Sequence, residues 1–349
     1  MASEGEGALA KPVDELPPAV RVLEITHTAF VACRVLYVIA KLGIADLLRQ
    51  GARSSEELAR ATGTHARSLY RVLRAAASVG VVSESQDHRF ALTDVGSTLR
   101  SDVPDSLRGW VLYTGEPWNL QAWQELLHSV RTGEPAWERA HGVPFFEYFS
   151  RHPDASEIFD AAMTDISRWD GAVVAAAYDF SQFRTVLDVG GGQGALLVSI
   201  LKANAGVRGV LYDQAHVVER ARDRIAAEGL EGRCEIVIGS FFESVPGGAD
   251  AYVLKYIIHD WQDDRAHVIL ANCRRAMTSA GKLLLIELIV PPPGESHLAK
   301  TSDVEMLVML GSPERTINEY ESLLNRAGFR LARVVRTPEV MSIIEATPV

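Results

Sequence analysis

The chain has little cysteine: Cys33, Cys234 and Cys273 are its three, far apart in 349 positions. They offer no disulfide framework and no metal-ligand spacing, and read as the reduced thiols of a cytoplasmic protein. The chain also lacks any block of like charge, and its net charge is −10. That argues against nucleic acid as the main partner, because phosphate contacts need clustered Lys and Arg. Residues 1–18 are polar and acidic, with no apolar stretch of signal-peptide type. The apolar run from Ala29 to Leu48 is interrupted by Arg34 and Lys41 at helical spacing. It reads as too short and too charged to span a membrane, and as a helix buried at a core or subunit interface. What is present is an ordinary globular composition, 47% apolar and 23% charged, with length for two or three domains.

Residues 1–20 are expected to form a flexible tail. Over 21–100, a long apolar helix from Val22 to Leu48 comes first. Ser54-Ser55-Glu56-Glu57 then forms a capping box that opens a short helix, which Gly63 stops. His65 to Val79 is amphipathic, with Leu69, Val72, Leu73 and Ala76 on one stripe. Val81–Ser83 and Arg89–Thr93 read as strands around a polar turn. Three helices and a two-stranded wing make a winged-helix arrangement, which raises DNA binding. From Arg53 to Arg89, however, six Arg and no Lys stand against four acids, a net of +2 that is thin for a groove reader. The long apolar helix needs covering, which favours a dimerisation role.

Residues 101–180 read as a helical linker rich in aromatics. Trp118 is among those placed to wall a flat apolar small molecule. Over 181–349, strands alternate with helices. The strand candidates are Thr185–Val189, Gly209–Asp213, Glu235–Gly239, Ala251–Ile257 and Lys282–Val290. Their continuous apolar runs suit parallel strands buried on both faces. Arg330–Arg336 and Val340–Ala346 flank a Thr337-Pro338-Glu339 turn and close the series as a hairpin. The expected fold is therefore α/β: a doubly wound seven-stranded sheet with a terminal antiparallel hairpin, behind a mainly helical winged-helix dimerisation domain.

The first strand runs into Gly190-Gly191-Gly192-Gln193-Gly194 and then an apolar helix pattern. This strand–turn–helix brings backbone close to a nucleotide-like ligand, and any Cβ in the turn would obstruct it. Asp213, ending the second strand, suits the two hydroxyls of an adenosine ribose. Gly190-x-Gly192-x-x-Ala195 also fits the looser dinucleotide fingerprint, so NAD is an alternative. Asp188 at the loop mouth would repel a pyrophosphate and welcome a cation. That favours S-adenosylmethionine, with its sulfonium and ammonium.

His259 follows the fourth strand, at the edge where such sheets bind ligands. Glu287 lies in the fifth strand, where a carboxylate needs a polar partner. Glu314 follows a Gly311-Ser312-Pro313 turn. One imidazole and two carboxylates on adjacent edges suit deprotonation of a weak acid followed by transfer. With phenol near pKa ~10 and imidazole near ~6.5, the unassisted step is uphill by about 4–5 kcal/mol. A carboxylate on the far ring nitrogen stabilises the imidazolium and fixes its tautomer. No H-x-x-x-H or comparable spacing supports a metal.

These residues carry a resemblance. The chain is similar to the S-adenosylmethionine-dependent O-methyltransferases of the plant caffeic-acid and bacterial polyketide-tailoring type. The likeness runs from the winged helix to the terminal hairpin. It rests on Leu187 to Gly194, on Lys255 with His259-Asp260-Trp261, and on Glu314-Arg315-Thr316. It implies cofactor contacts at Gly190 and Asp213 with Lys255 beside them, and His259 as general base bracketed by Glu287 and Glu314. It implies Phe159, Met163 and Met306 along the acceptor pocket, where Trp118 and Asp260 are also placed, and a homodimer without metal. Asp188 and Gly192 complete the loop's contacts. The family usually has Gly-Asp after the third strand. Here Ser240 follows Gly239 and Phe241 keeps the apolar surface for the adenine. Two other functions stay open: non-methylating chemistry (hydroxylation, decarboxylation, pericyclic) on the same scaffold, and a winged-helix regulator of DNA.

Overall fold

The computed structural model describes residues 16–349. Most of the expected tail, residues 1–15, lies outside the described residues. The chain divides into two compact units at Glu116/Pro117.

In the first unit a helix runs Pro18–Lys41, with a π-helical stretch at Glu24–Thr28. It begins earlier than expected because Pro18 occupies the first turn, where a missing N–H goes unnoticed. By length and composition alone it is long and apolar enough to cross a membrane, a test that the core helix of a soluble protein also passes. Its first half exposes Val22, Leu23, Ile25 and Phe30. Its second half is built into the unit. Arg34 Nη1 donates to the Gly115 carbonyl at 2.7 Å, and Lys41 Nζ pairs with Glu116 Oε1 at 2.6 Å. These contacts also explain why the unit reaches past residue 100: the Arg108–Gly115 helix packs on the first helix.

The expected continuation to Leu48 is broken at Gly43, whose φ of 63° reverses the chain before a short helix Ile44–Leu48. The capping box forms as read. Ser54 N–H donates to Glu57 Oε2 at 2.7 Å, and Glu57 N–H donates to Ser54 Oγ at 3.3 Å. It starts the helix Ser55–Thr62, and the helix Ala66–Ser78 follows. The wing has one more strand than expected. β1 (Arg53–Ser54) pairs with β3 (Arg89–Leu92), which pairs with β2 (Val82–Glu84). Ile39, Ile44, Leu58, Leu73 and Phe90 form the core of this unit.

The second unit opens with short helices from Pro117 to Arg151 and the long helix Pro153–Ala177. The sheet comprises β4 (Thr185–Val189), β5 (Arg208–Asp213), β6 (Cys234–Ile238), β7 (Ala251–Lys255), β8 (Lys282–Leu288), β9 (Phe329–Arg336) and β10 (Met341–Pro348). Its order is β6-β5-β4-β7-β8-β10-β9. β4 to β8 run parallel, and β10 is antiparallel to both β8 and β9. Side chains alternate between two cores. Val186, Leu284 and Ile286 face one, and Leu187, Leu283 and Leu285 face the other. This is why the strands read as unbroken apolar runs. The order reverses between β4 and β7, so their carboxyl ends diverge and leave a crevice.

Candidate active site

The glycine loop crosses that crevice. Gly190, Gly192 and Gly194 all have positive φ, at 72°, 59° and 76°. A Cβ on Gly190 would come within 2.6 Å of Ile257 Cδ1, and one on Gly191 within 2.6 Å of the Asp188 carboxyl. At Gly192 it would meet open space, and that residue's N–H donates to Asp213 Oδ2 at 2.9 Å. Asp213 Oδ1 accepts from Gln214 N–H at 2.7 Å, so Asp213 braces the loop as well as ending β5.

Asp188 is buried, and its Oδ2 has no hydrogen-bond partner. Burial pushes its carboxyl up to about 7, with Lys255 opposing and Asp213 adding to the rise. Lys255 ends β7, buried, with its ammonium 3.0 Å from Asp170 Oδ2 on the long helix. After β6, Phe241 faces Gly190, its Cε1 lying 3.3 Å from where a Gly190 Cβ would be. The Phe241 carbonyl is fixed by Asn272 Nδ2 at 2.7 Å, and Ser240 Oγ accepts from Phe242 N–H at 3.3 Å.

His259 sits in a 3₁₀ turn, Ile258–Asp260, just past β7. Its Nδ1 lies 3.0 Å from Glu314 Oε1 and 4.0 Å from Glu287 Oε2, and its Nε2 lies 3.4 Å from Asp260 Oδ1. In the neutral ring the Nδ1 proton is donated to Glu314 Oε1, which leaves Nε2 as the nitrogen that can accept a proton. Burial pulls the imidazole down, but Glu287, Asp260 and Glu314 together outweigh it and hold the ring at about 10. Burial raises Glu287 to about 7 and Asp260 to about 6, each opposed by His259. The sequence-expected trio therefore converges, with donor atoms within 4.8 Å of one another.

Each member is anchored. Glu287 Oε1 accepts from Ile258 N–H at 2.9 Å. Glu314 Oε1 also accepts from Ser302 Oγ at 2.7 Å, and its N–H donates to Asp303 Oδ1 at 2.9 Å. Arg315, buried, donates to the carbonyls of Ile258 and Trp261 at 2.9 and 2.7 Å. It thereby clamps the turn that carries His259. Thr316 caps the next helix, Ile317–Arg326, through a capping box with Glu319.

The expected pocket residues fall into two groups. Trp118 and Phe159 belong to one aromatic cluster bridged by Phe149, which stacks on Phe159 at 4.7 Å and meets Trp118 edge-on at 5.5 Å. Met163 lies one turn beyond Phe159. Met306 is on the Ala299–Met309 helix, which packs against the helix carrying Trp118. Both methionines are half-buried.

Sequence reasoning missed Tyr256, Asp170 and Glu305. Tyr256 adopts φ 53°, a strained value for a side chain of its size, and stacks on the His259 ring at 5.3 Å. No sequence signal marks it. A carboxylate among Val304, Met306 and Leu307 could have drawn attention to Glu305.

The strand order, the glycine loop and the acids at the strand ends define the class, a nucleoside-binding α/β methyltransferase fold. The chain belongs to the O-methyltransferase family: residues 123–330 match its O-methyltransferase domain and residues 25–102 its dimerisation domain. The phenazine O-methyltransferase PhzM of Lysobacter antibioticus is 44% identical over 322 residues, 92% of this chain and 94% of that one. The crystal structure of LaPhzM matches with a TM-score of 0.91 at 43% identity, covering 96% of this chain and 100% of that one. The O-methyltransferase NcsB1 from neocarzinostatin biosynthesis, solved with S-adenosylmethionine and 2-hydroxy-5-methyl naphthoic acid, matches with a TM-score of 0.76 at 34% identity. That match covers 91% of this chain and 96% of NcsB1. The protein is an S-adenosylmethionine-dependent methyltransferase with a dimerisation domain.

Proposed function

We propose that this enzyme methylates a hydroxyl of an aromatic or polyketide-like small molecule, with His259 as general base assisted by Glu287 and Glu314. The observation that carries the proposal is the buried imidazole bonded to Glu314 through Nδ1 at 3.0 Å, with Nε2 left for the acceptor. S-adenosylmethionine, when bound, supplies the electrophilic methyl. The residues present fit it. The orphaned Asp188 Oδ2 suits its ammonium, and the open space before Gly192 admits it. Gly190 and Asp213 border that space, with Phe241 as an apolar wall, Ser240 at its rim and Lys255 behind Asp188.

The chain's own chemistry acts on the other reactant. His259 Nε2 receives the acceptor's proton. A ring held at about 10 makes transfer from a phenol of pKa about 10 nearly thermoneutral, where an ordinary imidazole would face the uphill step. Glu314 fixes the tautomer and, with Glu287, stabilises the imidazolium. Trp118, Phe159, Met163 and Met306 wall the acceptor, with Asp260 beside its hydroxyl. The trio, whose donor atoms lie within 4.8 Å of one another, is read as a base with two supporting carboxylates rather than as a metal centre.

The test is His259→Ala assayed with a true acceptor. A kcat lower by about 10²–10⁴-fold with cofactor affinity intact is expected, and the wild-type rate is expected to persist in EDTA. An unchanged kcat refutes the base assignment. The proposed assembly is a cytoplasmic homodimer, supported by the dimerisation domain and by the uncovered apolar side chains of the Pro18–Lys41 helix.

A further inference from the structure

Glu305 is a carboxylate that the reaction above does not use. It stands in the Ala299–Met309 helix, three residues beyond Ser302, whose hydroxyl is bonded to Glu314. Residues three apart share a helix face, so Glu305 lies on the side turned to the His259–Glu314 pair. It is half-buried, and among the described residues it makes no hydrogen bond and no ion pair. The charges it feels are those of His259 and Glu314. Burial pushes its carboxyl up to about 7, with His259 opposing and Glu314 adding to the rise. Met306, expected along the acceptor pocket, is its neighbour. A carboxyl group that a bound ligand covers without offering it a donor is unfavourable.

We propose that Glu305 is a specificity-determining contact that accepts a hydrogen bond from a second donor, a hydroxyl or an amino N–H, on the same aromatic acceptor that carries the methylated hydroxyl. This rests on the reading of His259 as the base beside that hydroxyl. An acceptor with only one hydroxyl enters the site and leaves Glu305 desolvated and unpaired. Sites built this way reject the analogue that lacks the donor. A hydrogen bond to a charged group corresponds to about 10- to 100-fold in kcat/KM.

The probes are a panel of dihydroxynaphthalenes set against 2-naphthol. Each is assayed for methylation from S-adenosylmethionine and for binding to the S-adenosylhomocysteine complex. Wild type is expected to prefer at least one dihydroxy isomer over 2-naphthol by about 10- to 100-fold. Glu305→Leu is expected to erase that preference, and Glu305→Gln, which keeps an acceptor oxygen, to retain part of it. Cofactor affinity measured by calorimetry should match wild type in both variants, which shows that the fold is kept. Methylation with the same dihydroxy-to-monohydroxy ratio in wild type and Glu305→Leu overturns this proposal alone. If no phenol is methylated or bound, the methyl-transfer reading and this proposal fall together.

Discussion

Glutamine in place of Glu314 keeps the size of the side chain and an oxygen that can still accept the Nδ1–H of His259. The variant therefore removes charge and little else. Two unit charges 3.0 Å apart interact by about 5 kcal/mol at an effective dielectric near 20. The net effect is smaller because the cluster compensates. Glu287, held at about 7 by burial and in part by Glu314, ionises more readily once Glu314 is neutral. A drop of about 1–3 pH units in the imidazole's titration is the expected remainder.

The sign follows from the base role. His259 acts when neutral, so the wild-type rate climbs with pH toward the alkaline titration of a ring held at about 10. In Glu314→Gln the climb should finish earlier, at lower pH. Its plateau should also be lower, by about 10- to 100-fold, because a weaker base is a poorer catalyst. At neutral pH the two changes oppose each other, so a single-pH assay is uninformative. The measurement is kcat/KM with radiolabelled methyl donor from about pH 6 to about pH 10.5, alongside the cofactor dissociation constant. A midpoint that stays in place, or moves upward, would refute the account of how the imidazole is tuned.

Two other measurements test separate parts of the structure. Asp188 is raised from 3.8 to about 7 in the folded chain, so the fold holds a proton between those values that the unfolded chain has lost. Its contribution to stability therefore declines as pH rises through that window, by on the order of 4 kcal/mol at most. Cofactor-free Asp188→Asn should lose less melting temperature than wild type between about pH 5 and pH 8; parallel losses would sink the assignment. For assembly, sedimentation equilibrium should give the mass of two chains. Arginine at both Ile25 and Phe30, each exposed, should reduce it to one, and a double variant that stays paired would place the interface elsewhere.

The sheet was legible because buried parallel strands leave a simple record. Leu283 to Ile286 serves two cores at once, and no polar residue interrupts it. The glycine loop was legible because the turn excludes side chains at Gly190 and Gly191. Gly43 was misread because a left-handed residue inside an apolar run looks like any other small residue until its φ is seen. β1 escaped because Arg53–Ser54 is too short to show a period. Within the site, His259, Glu287 and Glu314 were found because each is chemically out of place in its segment. Asp170 was not, since nothing local links it to Lys255, 85 positions away.

The tripeptide Glu314-Arg315-Thr316 has a consequence for anyone wishing to retrain this catalyst. Three adjacent residues hold the imidazole, pin the turn that carries it and begin the following helix. A library that diversifies them would disturb tuning, geometry and folding together, and inactive clones would reveal nothing about scope. Diversity belongs instead on exposed positions of the 299–309 helix such as Val304, away from Ser302 and Asp303, which hold Glu314.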